Sequence, residues 1–395
     1  MLNNDFVANQ SGDDGGATRE TVDGVAQRER LHRQRGGGER RWCQGVARGG
    51  HDRRERFLGD AAGENGGALE LDESASAVDG CTFAGNTAAG GRAVHVAGGW
   101  DPATFEDSDF ADNVATQRGG HVLIEDEEGT TRFVRVTMAR GTAVDGGALL
   151  ASGASVAVAN TLILNNGATG SGGGIVIEAA SGRLTNIVAW ENAGPGGSSL
   201  RVVDGLGLDV SNSVFGRGRQ SAAIVRLGGA RPTWDHNDMY ANDDDFFGLA
   251  PRGVFEGNLA VRPHFTDDAT LDFSLRARSE LIDAGSPWVF DPDGTRSDIG
   301  VFGGPESLSK NQLAERVLGC VLAVGVGAWR ARTGREDRQG RTVAWACHRT
   351  SEREAAEGSR PAASRRAGCR VTTSWTSSPR RRAGDAPGAG CARRP

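Results

Sequence analysis

The stretch "DSDFADNVATQRGGHVLI", residues 107–124, contains the pattern that decides the fold. A phenylalanine is followed three positions later by an asparagine and then, within six further positions, by a glycine pair. In this stretch the pattern comprises Phe110, Asn113, Gly119 and Gly120. A second copy, "CTFAGNTAAGGRAVHV" at 81–96, comprises Phe83, Asn86, Gly90 and Gly91.

The pattern recurs at a regular distance. Looser copies occur along the chain, including "VTMARGTAVDGGALLA" at 136–151, which contains Gly146 and Gly147. The second glycine of each pair falls at positions 16, 67, 91, 120, 147, 173 and 197, so the steps after the first gap are 24 to 29 residues. Such a period indicates a stack of supersecondary units, because one unit alone cannot bury its apolar face.

Short alternating runs such as "AVHVA", "HVLIE" and "GIVIE" separate the glycine pairs and predict strands of three to six residues. About 25 residues suffice for one coil of a right-handed parallel β-helix, with rungs about 4.8 Å apart. We therefore predict an all-β, right-handed parallel β-helix. In this fold the phenylalanines stack inside the coil, the asparagines form an amide ladder at a turn, and the glycine pair makes a corner without a Cβ clash. A leucine-rich horseshoe is the main competitor, but its leucine and asparagine spacing is absent.

The repeat resembles that of the polymorphic outer-membrane proteins and of related exported bacterial β-helix proteins. The resemblance covers most of residues 1–227 and departs from the pattern at Met138 and Trp190, which we place at the phenylalanine position. It implies an exported or cell-surface protein with a structural or adhesive role, binding a polysaccharide or another cell-surface component without catalysis. The alternatives are a polysaccharide lyase or glycoside hydrolase of the pectate-lyase-like fold, and a truncated, frameshifted fragment without function.

Residues 18–56 are irregular: they span a rung-length segment but are crowded with arginine and lack a strand pattern. Shifting the reading frame by one base permits Ser-Asp-Phe-Thr-Asp-Asn across Glu29–Arg35, nearly the opening phrase of a repeat. Our hypothesis is that this segment is read out of frame, which the nucleotide sequence would decide. The chain also opens inside a repeat without an export signal, so we expect it to be a fragment.

Charge and composition divide the chain into unlike parts. Residues 1–305 hold 43 acidic and 27 basic side chains, whereas 306–395 hold 8 and 18. We predict β-helix repeats over 1–227, terminal rungs and a cap over 228–305, and an Arg/Ala/Ser-rich tail over 306–395. The tail is predicted to be disordered or out of frame, with a nucleic-acid-binding arm as the alternative that we do not favour. Its apolar run at 317–329 is too short for a membrane-spanning helix, which needs about 20 residues.

The cap prediction comes from a second resemblance. The segment 257–305 resembles the closing segment of many secreted bacterial β-helix proteins, and a stack needs a cap to cover its last strand edges. The matching residues are Gly257, Asn258, Pro263, Phe265, Ile282 to Gly285, and Asp298 to Gly300.

Acidic residues near the end of the acidic region could bind calcium. Asp291, Asp293 and Asp298 in "DPDGTRSD" are spaced as in calcium loops but lack the later bidentate glutamate. The alternative is that these aspartates bond their own backbone in a turn. Asp243, Asp244 and Asp245 are a weaker calcium candidate, since three consecutive carboxylates cannot all point the same way. No cofactor other than calcium is suggested by the sequence.

Other residues that could carry chemistry are scattered. A lyase needs a basic group to abstract a proton, for which Arg226, Arg231 and Lys310 are the candidates. His95, His121, His236 and His264 are interpreted as surface or turn histidines. Four tryptophans could stack on sugar rings: Trp100, which we favour, Trp190, Trp234 and Trp288. The cysteines suggest no disulfide framework, because Cys81 is the single one in the regular region.

Overall fold

The computed structural model describes residues 5–10, 18–21, 55–72, 76–88, 93–98, 103–126, 128–248 and 257–307. These residues form an all-β parallel solenoid, which confirms the β-helix prediction; its handedness stays a prediction. Gly90, Gly91, Trp100, Lys310 and the tail from 308 onward lie outside the described residues. Within the described residues no helix is long and apolar enough to cross a membrane.

The described strands form four parallel sheets, which we call sheets I to IV in their order within one coil, for example β6, β7, β8 and β9. Sheet I contains seven strands: β6 (Ala77–Asp79), β10 (Thr104–Glu106), β14 (Thr130–Val134), β18 (Ser155–Ala159), β22 (Ser181–Thr185), β25 (Gly207–Ser211) and β28 (Thr233–Asp235). Sheet II contains nine strands: β1 (Asp5–Val7), β3 (Arg56–Leu58), β7 (Thr82–Ala84), β11 (Asp109–Ala111), β15 (Thr137–Ala139), β19 (Leu162–Leu164), β23 (Val188–Trp190), β26 (Val214–Gly216) and β29 (Asp238–Tyr240).

Sheet III is formed by the coils from β4 to β20, whereas sheet IV continues to the last described coil. Sheet III contains five short strands: β4 (Ala61–Ala62), β8 (Thr87–Ala88), β12 (Val114–Ala115), β16 (Thr142–Asp145) and β20 (Gly167–Ser171). Sheet IV contains nine strands: β2 (Thr18–Thr21), β5 (Leu69–Asp72), β9 (Val94–Ala97), β13 (Val122–Glu125), β17 (Leu149–Ser152), β21 (Ile175–Glu178), β24 (Leu200–Gly205), β27 (Ala222–Gly229) and β30 (Asp244–Phe247).

The repeated phenylalanine forms a stack inside the coil on sheet II. The Phe57 and Phe83 rings lie 4.8 Å apart at 2°, and the Phe83 and Phe110 rings lie 4.7 Å apart at 9°. These distances equal the rung spacing because the strands pair in register, Phe57 with Phe83 and Phe83 with Phe110. The stack is fully buried, so each ring contributes apolar burial as well as ring contacts.

Three residues after the inward side chain of most sheet II strands, an asparagine joins neighbouring coils. Asn86 accepts a hydrogen bond from the backbone N–H of Asp60 and donates to the Phe57 carbonyl, and its own N–H donates to Asn113 Oδ1. Further along the stack the same position is held by Asn166, Asn192 and Asn242. Each amide therefore satisfies backbone groups at a buried corner that would otherwise lack partners.

Among the described rungs, Asp60, Gly141 and Gly218 hold this position instead of an asparagine, and at Gly141 a side chain from the neighbouring coil takes over. The imidazole of His121 fills the space: its Nδ1 lies 2.9 Å from Asn113 Nδ2 and its Nε2 lies 3.1 Å from Asn166 Oδ1. A β-carbon on Gly141 would come within 2.6 Å of His121 Nε2. His121 is fully buried and carries the ladder across the gap, as an interior rather than a surface histidine.

The described glycine pairs lie at the corner before sheet IV. Gly119 and Gly146 have φ of +67° and +69°, a conformation that favours glycine. A β-carbon on Gly120 would come within 2.1 Å of the Gly147 carbonyl oxygen, and one on Gly147 within 2.3 Å of the Gly173 carbonyl oxygen. The first glycine of the pair supplies the turn and the second permits close approach of adjacent coils.

Strands β2 and β3 reach into the segment 18–56 that was predicted to be irregular, and the coils on either side of residues 22–54 are direct neighbours. Strand β1 pairs with β3, Phe6 opposite Phe57, and β2 pairs with β5, Thr18 opposite Leu69. No rung lies between these described strands, although the sequence between them has the length of one. Residues 22–54 lie outside the described residues, and the frame hypothesis stays a prediction.

Trp190 does not occupy the phenylalanine position, so this prediction was wrong by one residue. Ala189 pairs with Ile163 and Phe215 in the inward column, whereas Trp190 pairs with Leu164 and Gly216. The asparagine identifies the correct residue, because Asn192 follows Ala189 by three positions. Trp190 is buried, as expected, but on the outer face of sheet II.

The outer face of sheet II is covered by the segment 257–307. This segment begins as a partial rung, since Asn258 accepts from the Asn237 N–H and Leu259 pairs with Asp238. It then forms an antiparallel hairpin, β31 (Phe265–Asp267) and β32 (Asp272–Leu275), joined by the 3₁₀-helix Asp268–Thr270. A second apolar core lies between the segment and the sheet, formed by Ala139, Leu162, Leu164, Val188, Trp190, Val214, Phe265, Phe273, Leu275, Leu281, Ile299 and Val301.

Corner asparagines of the stack hold this segment in place. Asn160 Nδ2 donates to the carbonyls of Val301 and Gly303, and Asn186 Nδ2 donates to those of Asp298 and Gly300. The segment thus packs along the side of four or more coils, beyond the single strand edge that a terminal cap would cover.

Candidate functional site

A pocket of about 340 Å³ lies where the β31–β32 hairpin meets the outer face of sheet II. The hairpin brings two basic pairs together at its base: Arg262 and His264 precede β31, while Arg276 and Arg278 follow β32. The N–H of Arg276 donates to the His264 carbonyl at 3.0 Å, which fixes the two chain segments side by side.

The aromatic wall of the pocket comes from sheet II. Trp190 and Tyr240 lie on the outer face two rungs apart, with ring centroids separated by 6.1 Å and nearly parallel planes. Gly216 stands between them, and a β-carbon there would come within 2.1 Å of the indole. Phe265 packs edge-on against Trp190 at 5.1 Å, so the indole is held rigidly in place.

Arg217 links this wall to the hairpin. Its guanidinium carbon lies 5.1 Å above the Trp190 ring centroid, within the range of a cation–π contact. Its Nη1 lies 2.9 Å from Glu191 Oε1 and 2.9 Å from Asp268 Oδ2. Arg217 is therefore already paired and serves as part of the wall.

The remaining charges of the pocket are mostly positive. Asp267 Oδ1 accepts from the Ala269 N–H and caps the 3₁₀-helix, and Arg276 donates to the Thr266 carbonyl. Arg262 and Arg278 are exposed and form no ion pair or hydrogen bond with any residue that the structure describes. Desolvation, followed by the charges of Arg278 and Arg262, lowers the pKa of His264. The local field therefore favours a bound anion.

The predicted calcium ligands do not converge on one point. Asp291 Oδ1 accepts from the Gly304 N–H, Asp293 Oδ1 accepts from Thr295, and Asp298 Oδ1 accepts from the Asp283 N–H. Burial raises the pKa of Asp291, and the Thr295 hydrogen bonds lower that of Asp293. In the described part of the chain no group of three or more acidic, histidine or cysteine side chains could hold a metal ion. The geometry favours turn formation, and calcium binding stays a prediction.

The weaker candidates are also dispersed. Asp243 accepts from the Gln220 N–H and Asp245 from Asn242 Nδ2, so their carboxylates serve separate contacts. Arg226 donates to the carbonyls of Gly229 and Ala230 in its own turn, and Arg231 is exposed. Neither arginine lines the pocket.

The structure also separates the tryptophans. Trp234 is buried inside the coil against Phe215 and Phe246, where it cannot contact a ligand. Trp288 is 87% exposed, and Phe290 beside it is 54% exposed. Trp288 is thus the tryptophan that the described residues present most openly to solvent, while Trp100 lies outside them.

Sequence reasoning missed the pocket residues. The motifs "VRPHF" at 261–265 and "LRAR" at 275–278 give a signal, because each places two basic residues at alternate positions beside a strand. Two such strands joined by a short turn bring their outer ends together. Searches of the chain against protein-family models, curated proteins and solved structures find no match.

Proposed function

We propose that this chain is an exported or cell-surface β-helix protein that binds a polysaccharide or another surface component without catalysis. The resemblance of its repeat to that of the polymorphic outer-membrane proteins supports the location. The observation that carries the proposal is the solvent-open pocket between the hairpin and sheet II, walled by Trp190, Tyr240 and arginines. The interior of the coils is filled by the phenylalanine stack and the amide ladder, so ligands must bind outside.

The fold suits this role because its stability is distributed along the stack. Each coil is joined to its neighbours by in-register strands and by ladder hydrogen bonds, which gives an extended, stiff surface for display. The pocket is lined mostly by polar and charged groups beside its aromatic side chains, which suits a polar ligand such as a saccharide.

The test is retention of the full-length chain on an array of neutral, carboxylated, sulfated and phosphorylated polysaccharides. We expect retention on at least one polymer, with the length of the polymer unchanged. Release of products with an unsaturated end would instead establish the lyase alternative. Absence of retention across the whole array would contradict the proposal.

A further inference from the structure

We infer that the pocket between the β31–β32 hairpin and sheet II recognises a phosphate or sulfate ester carried on a sugar-sized ring. The inference rests on the proposed function and specifies the chemistry of its ligand. Arg262 and Arg278 bind the ester oxygens, and the ring occupies the remaining space of the pocket beside the half-buried Tyr240.

The charge balance of the pocket points to a strongly anionic group. Of the acidic side chains lining the pocket, Asp268 is paired with Arg217 and Asp267 caps the 3₁₀-helix. Arg262 and Arg278 remain without carboxylate partners among the described residues, in a region whose overall charge is acidic. Guanidinium groups present forked donors that match the oxygens of a phosphate or sulfate, and a phosphate monoester carries about −1.5 to −2 at neutral pH.

The size and walls of the pocket point to a ring. A volume of about 340 Å³ lies at the lower end of the range for small-ligand sites. The indole of Trp190 is fixed by Phe265 and Phe273, with centroids at 5.1 and 6.2 Å. Trp190 is itself buried and shapes the floor of the pocket, so the half-buried Tyr240 is the aromatic side chain that can contact the ring while the ester meets the arginines.

The arginines are also well placed to bind without disrupting the fold. Both are exposed side chains at the base of a hairpin whose backbone contacts are made by other residues, such as the Arg276 N–H to His264 carbonyl bond. Replacing either arginine by glutamine removes a charge but no described structural contact. Loss of binding in such variants would therefore report on the ligand rather than on unfolding.

The experiment compares the full-length chain with Arg262→Gln, Arg278→Gln and the control Arg231→Gln, which removes an exposed arginine outside the pocket. The probes share one backbone: dextran, carboxymethyl dextran, dextran sulfate and dextran phosphate. Because the arginine-rich region from 306 to 395 could bind polyanions by itself, the differences between variants decide the outcome. Free glucose 6-phosphate and glucose 6-sulfate are added as competitors.

We expect each pocket substitution to weaken binding to dextran phosphate or dextran sulfate at least tenfold, and Arg231→Gln to change it less than twofold. Tighter binding of dextran phosphate or of dextran sulfate identifies which of the two esters the pocket recognises, and either result supports the inference. Three results would overturn the inference. Unmodified dextran could bind as tightly as the esters, carboxymethyl dextran could bind more tightly than they do, or the control substitution could weaken binding as much as the pocket substitutions. Retention on the polysaccharide array that the pocket substitutions leave unchanged would contradict the inference while leaving the proposed function intact.

Discussion

At the scale of single residues, the clearest constraint falls on the second glycine of the pair. A β-carbon on Gly120 would approach the Gly147 carbonyl oxygen to 2.1 Å, so Gly120→Ala forces backbone to move. We expect it to lower the free energy of unfolding by about 1–3 kcal/mol. In Gly167→Ala the new carbon meets nothing closer than 3.9 Å, and we expect little change. Urea denaturation followed by far-UV circular dichroism compares the two, and equal losses would contradict the close-approach argument.

His121 gives the stack a predictable dependence on pH. Burial lowers the pKa of His121 to about 4 from an ordinary value of 6.5. Between pH 4 and pH 6.5 the unfolded chain binds a proton on His121 that the folded chain excludes. The stability that His121 contributes is therefore fully present above about pH 6.5 and is lost as the pH falls toward 4. From pH 7 to pH 5 this amounts to about 2 kcal/mol, since each pKa unit corresponds to about 1.4 kcal/mol.

The measurement is the difference between the full-length chain and His121→Gln, whose amide can also donate and accept a hydrogen bond. Burial raises the pKa of Asp238 to about 7, which stabilises the fold as pH falls and acts in the opposite direction. Comparing the two proteins cancels this contribution. We expect the parent to lose about 2 kcal/mol more than His121→Gln between pH 7 and pH 5. If the free energies of unfolding of the parent and of His121→Gln change in parallel with pH, the folded protein does not exclude a proton from His121.

At the scale of elements, the amide ladder should stabilise the stack more than the exposed corners beside it. Asn166 Oδ1 accepts from the Gly141 N–H, and its Nδ2 donates to the Met138 carbonyl. Asn166→Ala leaves these buried groups unpaired, at about 1–3 kcal/mol each. The neighbouring Asn165 is exposed with φ of +53°, which glycine adopts readily, so Asn165→Gly should be nearly neutral. Thermal or urea unfolding distinguishes the pair, and a comparable loss in Asn165→Gly would contradict the role of the ladder.

The same elements show how much of the fold could be predicted from the sequence. The three-residue spacing from Phe83 to Asn86 predicted the inward column and the ladder, because both follow from one local turn repeated in register. The indole of Trp190 misled the assignment, since its size suggested a core position that Ala189 actually holds. Side-chain size is a weaker guide than spacing here, because the outer face of sheet II also has a core.

At the scale of the whole molecule, the lateral packing of 257–307 was not predicted, although strand composition contains a signal for it. In β7 the inward Phe83 follows Thr82, whose side chain is only partly buried, whereas in β19 three successive apolar residues, Leu162 to Leu164, are all buried. A strand that is apolar on both faces needs a cover on each. Which segment supplies the cover depends on contacts between residues more than a hundred positions apart, such as Asn186 with Gly300, that no local pattern encodes.

This architecture leads to an uneven distribution of stability. A coil in the middle of the stack has a neighbour on each side, and those near Asn160 and Asn186 are also tied to the lateral segment. Among the strands that the structure describes, β1 pairs only with β3, and β30 only with β27. Because backbone strand pairing joins each coil to adjacent coils, the ends should open without the middle.

Hydrogen exchange on the full-length chain measures this gradient. We expect the amides of β15, β19 and β23 to exchange most slowly and those of β1, β2 and β30 most rapidly. Asn166→Ala should then accelerate exchange in β15 and β23 far more than in β5, because the lost contacts lie between adjacent coils. A single exchange rate across all strands, or equal acceleration everywhere, would mean that the stack opens only as one unit. Nearest-neighbour coupling would in that case be too strong for the coils to act as separable layers.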